Sequence, residues 1–239
     1  MIHVSATSLK RFISCPAKLY YALYGEFEAE ISTREMAIGS LVHEMIDKYW
    51  DNKELAYRNL AKYMVEFNLD ASNTDEVINY LEVFYDKFAP MCTPDDQIER
   101  RFEVKYSDNA LIVGRYDRII GDVIVDWKTG RTPPKSIDND IQFLLYYSVY
   151  RKFAGRLPAK VVYASLTSGN MIHLNPNQDR IDALYSDIIP AYIRAITKDE
   201  FPRLGLFGSA CYRCEVREVC WDELDRGRLN HQQGANKIY

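Results

Sequence analysis

Between residues 98 and 130 the chain offers three short segments rich in β-branched and aromatic residues, "IERRFEVKYS", "ALIVGRYDRII" and "DVIVDWKTG", separated by the turn signals "SDN" and "GD". This run constrains the fold more than any other feature, because strands joined by two- or three-residue turns pair antiparallel. Its flanks are helical. "SATSLKRFISCPAKLYYALYG" carries serine and threonine caps before a mixed aromatic run that Gly25 closes, and "TREMAIGSLVHEMIDKYW" sets Met36, Leu41, Met45 and Ile46 near one face. "TDEVINYLEVFYDKF" repeats apolar residues at three- and four-residue steps, and the pattern changes near Pro90 to Pro94. After the strands, "DNDIQFLLYYSVYRKFAG" returns to helical spacing and ends at Gly155, and "AKVVYASLTSGNMIHLN" reads as one or two strands about Ser168 and Gly169. A last helix, "QDRIDALYSDIIPAYIRAI", contains Pro190, which predicts a kink.

Helices, three strands, helix, strands, helix is the order of an α/β or α+β sheet flanked by helices. The 239 residues, 47% hydrophobic and 13% aromatic, suffice for one core. The expectation is a single domain over residues 1–239, with a helical region 1–92, a core 93–200 and a cysteine-rich tail 201–239. No apolar run reaches the roughly 18 residues of a membrane span, and the start lacks a secretory apolar centre, so a soluble cytoplasmic protein is expected. The net charge of −4 gives no global sign of polyanion binding, so a nucleic-acid contact must use a local basic surface. Residues 99–101, 128–135 and 150–152 offer such clusters, although each alone reads as a solvated face.

The stretch "VIVDWKTG" puts Asp126 and Lys128 on one strand face and Trp127 on the other. Asp117 lies nine residues earlier, and a turn at Gly121 and Asp122 lets the two carboxylates meet across the hairpin. Paired carboxylates suit magnesium or manganese, and a neighbouring ammonium can orient water or meet charge on a phosphate. Taken singly these residues read blandly: Asp and Lys as a surface pair, His43 as a bonded core histidine, Gln142 and Tyr146 as a helix edge.

Their chain order does not read blandly. Gly39 to His43 ("GxxxH"), Gly114 to Ile119 ("GRxDRI"), Asp126 to Gly130 ("DxKTG") and Gln142 to Tyr146 ("QxxxY"), on helix, strand, strand and helix, resemble the PD-(D/E)xK nuclease superfamily and within it the RecB-like exonuclease branch. The resemblance spans most of the chain and implies a restriction-endonuclease-like core with a central mixed sheet. It implies that His43, Asp117, Asp126 and the carbonyl of Trp127 hold Mg2+ or Mn2+, that Lys128 is the catalytic lysine, and that Gln142 and Tyr146 line the DNA path. A further glutamate is expected before the second motif strand, with Glu99 favoured over Glu103.

The five cysteines, in a chain without a secretion signal, argue against a disulfide framework. Cys211, Cys214 and Cys220 form C-x2-C-x5-C, Cys15 is the remaining partner, and Cys92 reads as an unrelated thiol. Four thiolates bind zinc or an iron–sulfur cluster equally well by ligand type. The arrangement looks like the iron–sulfur staple of AddB-type nuclease domains and CRISPR-associated four-cysteine nucleases, which implies a structural 4Fe–4S cluster on Cys15, Cys211, Cys214 and Cys220. The resemblance as a whole implies a metal-dependent DNA exonuclease acting on ends or single strands in recombination, repair, CRISPR adaptation or phage DNA processing, with any helicase or recombination partner a separate chain. Two rivals are an idle DNA-binding module and an iron–sulfur redox protein. Tyr20, Tyr21 and Tyr24 either stack bases or pack the core.

Overall fold

The computed structural model describes residues 1–24, 34–130, 132–203, 211 and 214–222; Gly25, read as a helix-closing glycine, and Arg131 of the basic cluster lie outside the described residues. In chain order the elements are β1 (Ile2–Val4), α1 (Ala6–Ser14), α2 (Pro16–Tyr24), α3 (Arg34–Tyr49), α4 (Lys53–Glu66), α5 (Thr74–Val83), β2 (Gln97–Ser107), β3 (Ala110–Ile120), β4 (Val123–Lys128), α6 (Ile141–Ala154), β5 (Lys160–Ser165), β6 (Met171–His173), α7 (Gln178–Ala183) and α8 (Ile189–Lys198). They fall into two compact units, one of residues 1–6 and 31–186, the other of residues 7–30 and 187–239.

The first unit is built on a mixed six-stranded sheet, so the α/β class and the helix-flanked mixed sheet are found. Strand β3 pairs antiparallel with β2 along its length, antiparallel with β4 at residues 118–120, and parallel with β1 at residues 110–112. The β3–β4 turn falls at Gly121, whose φ of +56° is left-handed and open to glycine at little cost. Strands β4 and β5 run parallel, which needs a crossover, and α6 supplies it. That helix starts at Asp140, whose side chain accepts the Gln142 N–H at 2.8 Å, and stops at Gly155 with φ +69°.

Behind β4 the apolar faces of α3, α4 and α5 make the main core with Val125, Trp127, Ala164 and Leu166. Leu41, Met45 and Ile46 of α3 are fully buried as their spacing predicts, whereas Met36 is 59% exposed and does not belong to that face. Trp127 packs against Phe84 and Phe88 at ring distances of 5.4 and 5.5 Å.

Three features depart from the sequence reading. Strand β1 lies within a region expected to be helical; its three residues are too few to show a period. The helix expected over residues 5–25 is two helices, broken at Cys15, with Pro16 starting the second, where its missing N–H costs nothing. The last helix contains a five-residue π-helical segment, Leu184–Ile188, before Pro190 in the first turn of α8. A wider turn there accommodates a residue that cannot donate and whose ring crowds the carbonyl four residues back.

In the second unit Phe12 meets Tyr192 edge-on at 5.7 Å, and Ala17, Tyr21 and Val216 form a small apolar cluster. Among the described residues no helix is long and apolar enough to cross a membrane.

Candidate active site

The β3–β4 ladder ends at the pair Arg118 and Val125. One step further Asp117 faces Asp126, and the side chain of Asp117 takes over the main chain's part: its Oδ2 accepts the Trp127 N–H at 2.9 Å. Asp126 is fully buried, and Lys128 Nζ lies 2.7 Å from its Oδ2. The i, i+2 geometry of a strand brings that carboxylate and ammonium together.

Gln142 and Tyr146, one turn apart on α6, fix the other side of Asp126. Gln142 uses both amide hydrogens, donating from Nε2 to Asp126 Oδ1 at 2.8 Å and to Tyr146 Oη at 2.9 Å, while its Oε1 accepts from Lys128 Nζ at 3.3 Å. The single hydroxyl proton of Tyr146 goes to the Arg115 carbonyl at 2.6 Å, which leaves its 3.3 Å approach to Asp126 a contact without a proton. The pair expected to line the DNA path therefore holds the Asp126 carboxylate in place.

His43 comes from α3, with Nδ1 3.5 Å from Asp117 Oδ2. Gly39, one turn earlier, lets α3 approach the end of β4: a Cβ there would stand 3.2 Å from Thr129 Oγ1. Burial, chiefly, lowers the His43 pKa, against the pull of Asp126. Burial and then the neighbouring Asp126 hold Asp117 well above the ordinary carboxylate range. For Lys128 burial works against the cation, but Asp126 and Asp117 outweigh it and its pKa is raised.

Of these groups His43 and Lys128, with Gly39, border an open cavity of about 710 Å³, and Asp117 and Asp126 lie behind them. The cavity wall also carries Asp47, Glu99 and Arg115. Asp47 and Arg115 were not singled out by sequence reasoning. Each had a signal: Asp47 is one turn beyond His43, and Arg115 is two residues before Asp117 on one strand face. Burial, then Glu99, pushes Asp47 up to about 7, and burial likewise raises Glu99. Glu99 rather than Glu103 joins the cavity, and its φ of +53°, at the third residue of β2, is a left-handed strand position that costs about 1–2 kcal/mol. Arg118 is not part of the site. It is fully buried, 2.7 Å from Asp96 and over the Trp50 ring at 4.7 Å, and it fastens the approach to β2.

Among the described residues no group of three or more His, Cys, Asp or Glu side chains is already assembled around a metal position. At the carboxylate site the Lys128 ammonium covers Asp126 Oδ2 and His43 has a main-chain hydrogen bond to Trp127. The donor types fit a hard divalent cation, since two facing buried carboxyls share one ammonium and Asp117 is held high by burial and then by the repulsion of Asp126. Of the cysteines, Cys15, Cys214 and Cys220 pack around the same Ala17, Tyr21 and Val216 cluster, and the Cys214 N–H donates to the Cys211 carbonyl at 3.3 Å. All four are free thiols, as is the buried Cys92.

Comparison with known proteins adds to this geometry. A solved structure from Eubacterium rectale, of a protein designated an inferred exonuclease, superposes with a TM-score of 0.63 at 19% identity, covering 85% of each chain, and supports the fold. A second solved structure, of SSO0001, aligns at 16% identity over 92% of this chain and 86% of that one, with a TM-score of 0.47. None of the curated proteins matches the sequence. The model of the PD-(D/E)XK nuclease superfamily matches residues 3–221, a span that takes in the helix of His43, the hairpin of Asp117, Asp126 and Lys128, and the helix of Gln142 and Tyr146. The chain belongs to the PD-(D/E)XK nuclease superfamily.

Proposed function

We propose that this member of the superfamily is an active, magnesium- or manganese-dependent DNA exonuclease of the RecB-like branch, working on DNA ends or single strands. The observation that carries the reading is the arrangement around Asp126: a buried carboxylate fixed by Gln142, facing Asp117, with the Lys128 ammonium 2.7 Å away at the edge of an open cavity. A divalent ion would be held by Asp117, Asp126, His43 and the Trp127 carbonyl, where it supplies Lewis-acid polarisation of the scissile phosphate. Lys128, one-third exposed and on the cavity wall, orients the attacking water and meets the charge that grows on the phosphate. Gln142 keeps both Asp126 and Lys128 in register through one amide. Hydrolysis places the water hydroxyl on phosphorus and a proton on the leaving sugar oxygen, and no covalent enzyme intermediate is required.

An idle DNA-binding module is disfavoured because two facing carboxyls buried beside one ammonium destabilise a fold that makes no use of them. The reading includes a structural 4Fe–4S cluster on Cys15, Cys211, Cys214 and Cys220; convergence of three of these thiols on one apolar cluster in the second unit supports it. A redox role for that cluster is a separate reading and has no carboxylate requirement. The setting is DNA recombination, repair, CRISPR adaptation or phage DNA processing, beside a helicase or recombination partner on another chain.

The deciding experiment follows 5′- and 3′-labelled single- and double-stranded DNA with magnesium, manganese or chelator, for the wild type, Asp126→Asn and Lys128→Met. Metal-dependent release of end nucleotides, lost in both variants, is the expected result. No metal-dependent product, or equal rates in all three proteins, overturns the proposal.

A further inference from the structure

Arg115 is a half-exposed cation of the cavity wall, and its guanidinium is ion-paired with Glu99. It stands two residues before Asp117, so a free guanidinium here has the Asp117 and Asp126 carboxyls within its range and would neutralise the charge the site needs. Glu99 prevents this. It is held opposite Asp117 by a left-handed residue between the register pairs Ile98–Arg118 and Arg100–Tyr116, a conformation with no local benefit to the strand. A carboxylate presents the guanidinium with two oxygens in the same fork geometry as two non-bridging phosphate oxygens. Asp47 lies beside Glu99 on the same wall, where burial and then Glu99 push its pKa up to about 7.

From this geometry we infer that Arg115 is the phosphate clamp of the site, parked on Glu99 in the free protein and transferred to a backbone phosphate next to the scissile bond when a DNA strand enters the cavity. Glu99 is then a positioning residue that acts through Arg115, and the ligand class is a nucleic-acid phosphodiester. The inference rests on the nuclease reading and adds to it a substrate contact outside the carboxylate and lysine set.

The test uses the full chain with Lys128→Met as background so that DNA is bound and not consumed. Affinity for a labelled single-stranded oligonucleotide is measured over a salt series. Arg115→Gln should weaken binding about tenfold or more, the size of one lost charge-assisted contact. It should also reduce the slope of log K against log salt by about 0.7, the value for one phosphate contact on a single strand. Arg115→Lys should restore the slope and only part of the affinity, because lysine keeps the charge and loses the fork. Glu99→Gln should tighten binding when Arg115 is present and change nothing in Arg115→Gln. An unchanged salt slope in Arg115→Gln, or equal tightening by Glu99→Gln with and without Arg115, overturns the clamp. A wild type that neither binds nor cleaves DNA overturns the nuclease reading itself, and the clamp with it.

Discussion

Removing Lys128 and then removing its partner separates what this ion pair does for folding from what it does for chemistry. In Lys128→Met the stem is retained and the ammonium is lost, so Asp126, fully buried, keeps the 2.8 Å donation from Gln142 and no cation. Breaking a buried pair costs about 3–5 kcal/mol. Lys128 is one-third exposed and Gln142 still bonds Asp126, so the structure argues for a cost at or below the bottom of that scale, about 2–3 kcal/mol, or a fall of about 4–12 °C in Tm for a chain of this size. Asp126→Asn in the same chain removes the stranded charge while its Oδ1 still accepts from Gln142, and stability should return to within about 1 kcal/mol of wild type. Activity should follow another course: at least about 10²-fold loss in the single variant and no recovery in the double. Thermal unfolding in chelator and single-turnover cleavage in magnesium read the two quantities. Equal destabilisation of single and double variants refutes the coupling, and cleavage by the double variant refutes the chemistry.

Gly114→Ala should lower Tm through overpacking of about 1–3 kcal/mol, because a Cβ would stand 2.3 Å from Phe102 Cζ, and Phe102→Leu in the same chain should recover most of the loss. Asp47→Asn should raise stability above pH 7 in chelator. With a folded pKa of about 7 against about 3.8 unfolded, the native state binds the extra proton between those values, so this group's contribution falls as pH rises through that window, and the asparagine chain should lack that fall in pH-dependent Tm. Anaerobically purified protein should contain about four irons per chain, and Cys15→Ser should lose them together with several degrees of Tm; stoichiometric zinc in their place refutes the cluster.

The hairpin and α6 were legible because their punctuation is local. Gly121 needs its left-handed φ, Asp140 caps its own helix and Gly155 ends it, and each signal acts within four residues. The site pairs Asp126 with Lys128 and Gln142 with Tyr146 were legible for the same reason, since strand and helix periods alone put each pair on one face. What could not be read depends on partners distant in sequence. Strand β1 exists because Ile2 to Val4 fit beside Ala110 to Ile112, more than one hundred residues away, and three residues carry no period. Asp47 reads as a solvated charge until the fold sets Glu99 against it, and although the resemblance favours Glu99 over Glu103, nothing in "QIERRF" announces its left-handed backbone.

The glycines of the two motif segments separate along the same line. Gly114 and Gly39 have no positive φ, so the freedom of the glycine backbone does not explain them. Gly114 lies across the ladder from Phe102, whose ring covers it and reaches Tyr116 at 4.8 Å and Tyr146 at 6.2 Å. Gly39 lets α3 come down on Thr129, directly after Lys128. Both are therefore positions where a missing side chain makes room for a neighbour that supports the site: an aromatic stack beneath Tyr146 in one case, and the seat of the His43 helix in the other. A motif glycine of this kind sets distance rather than conformation. The consequence for substitution is specific: alanine at Gly39 presses on a single hydroxyl that can turn, whereas alanine at Gly114 must displace an aromatic ring packed on two others, and so the second position is the more restrictive although neither glycine touches Asp117 or Asp126.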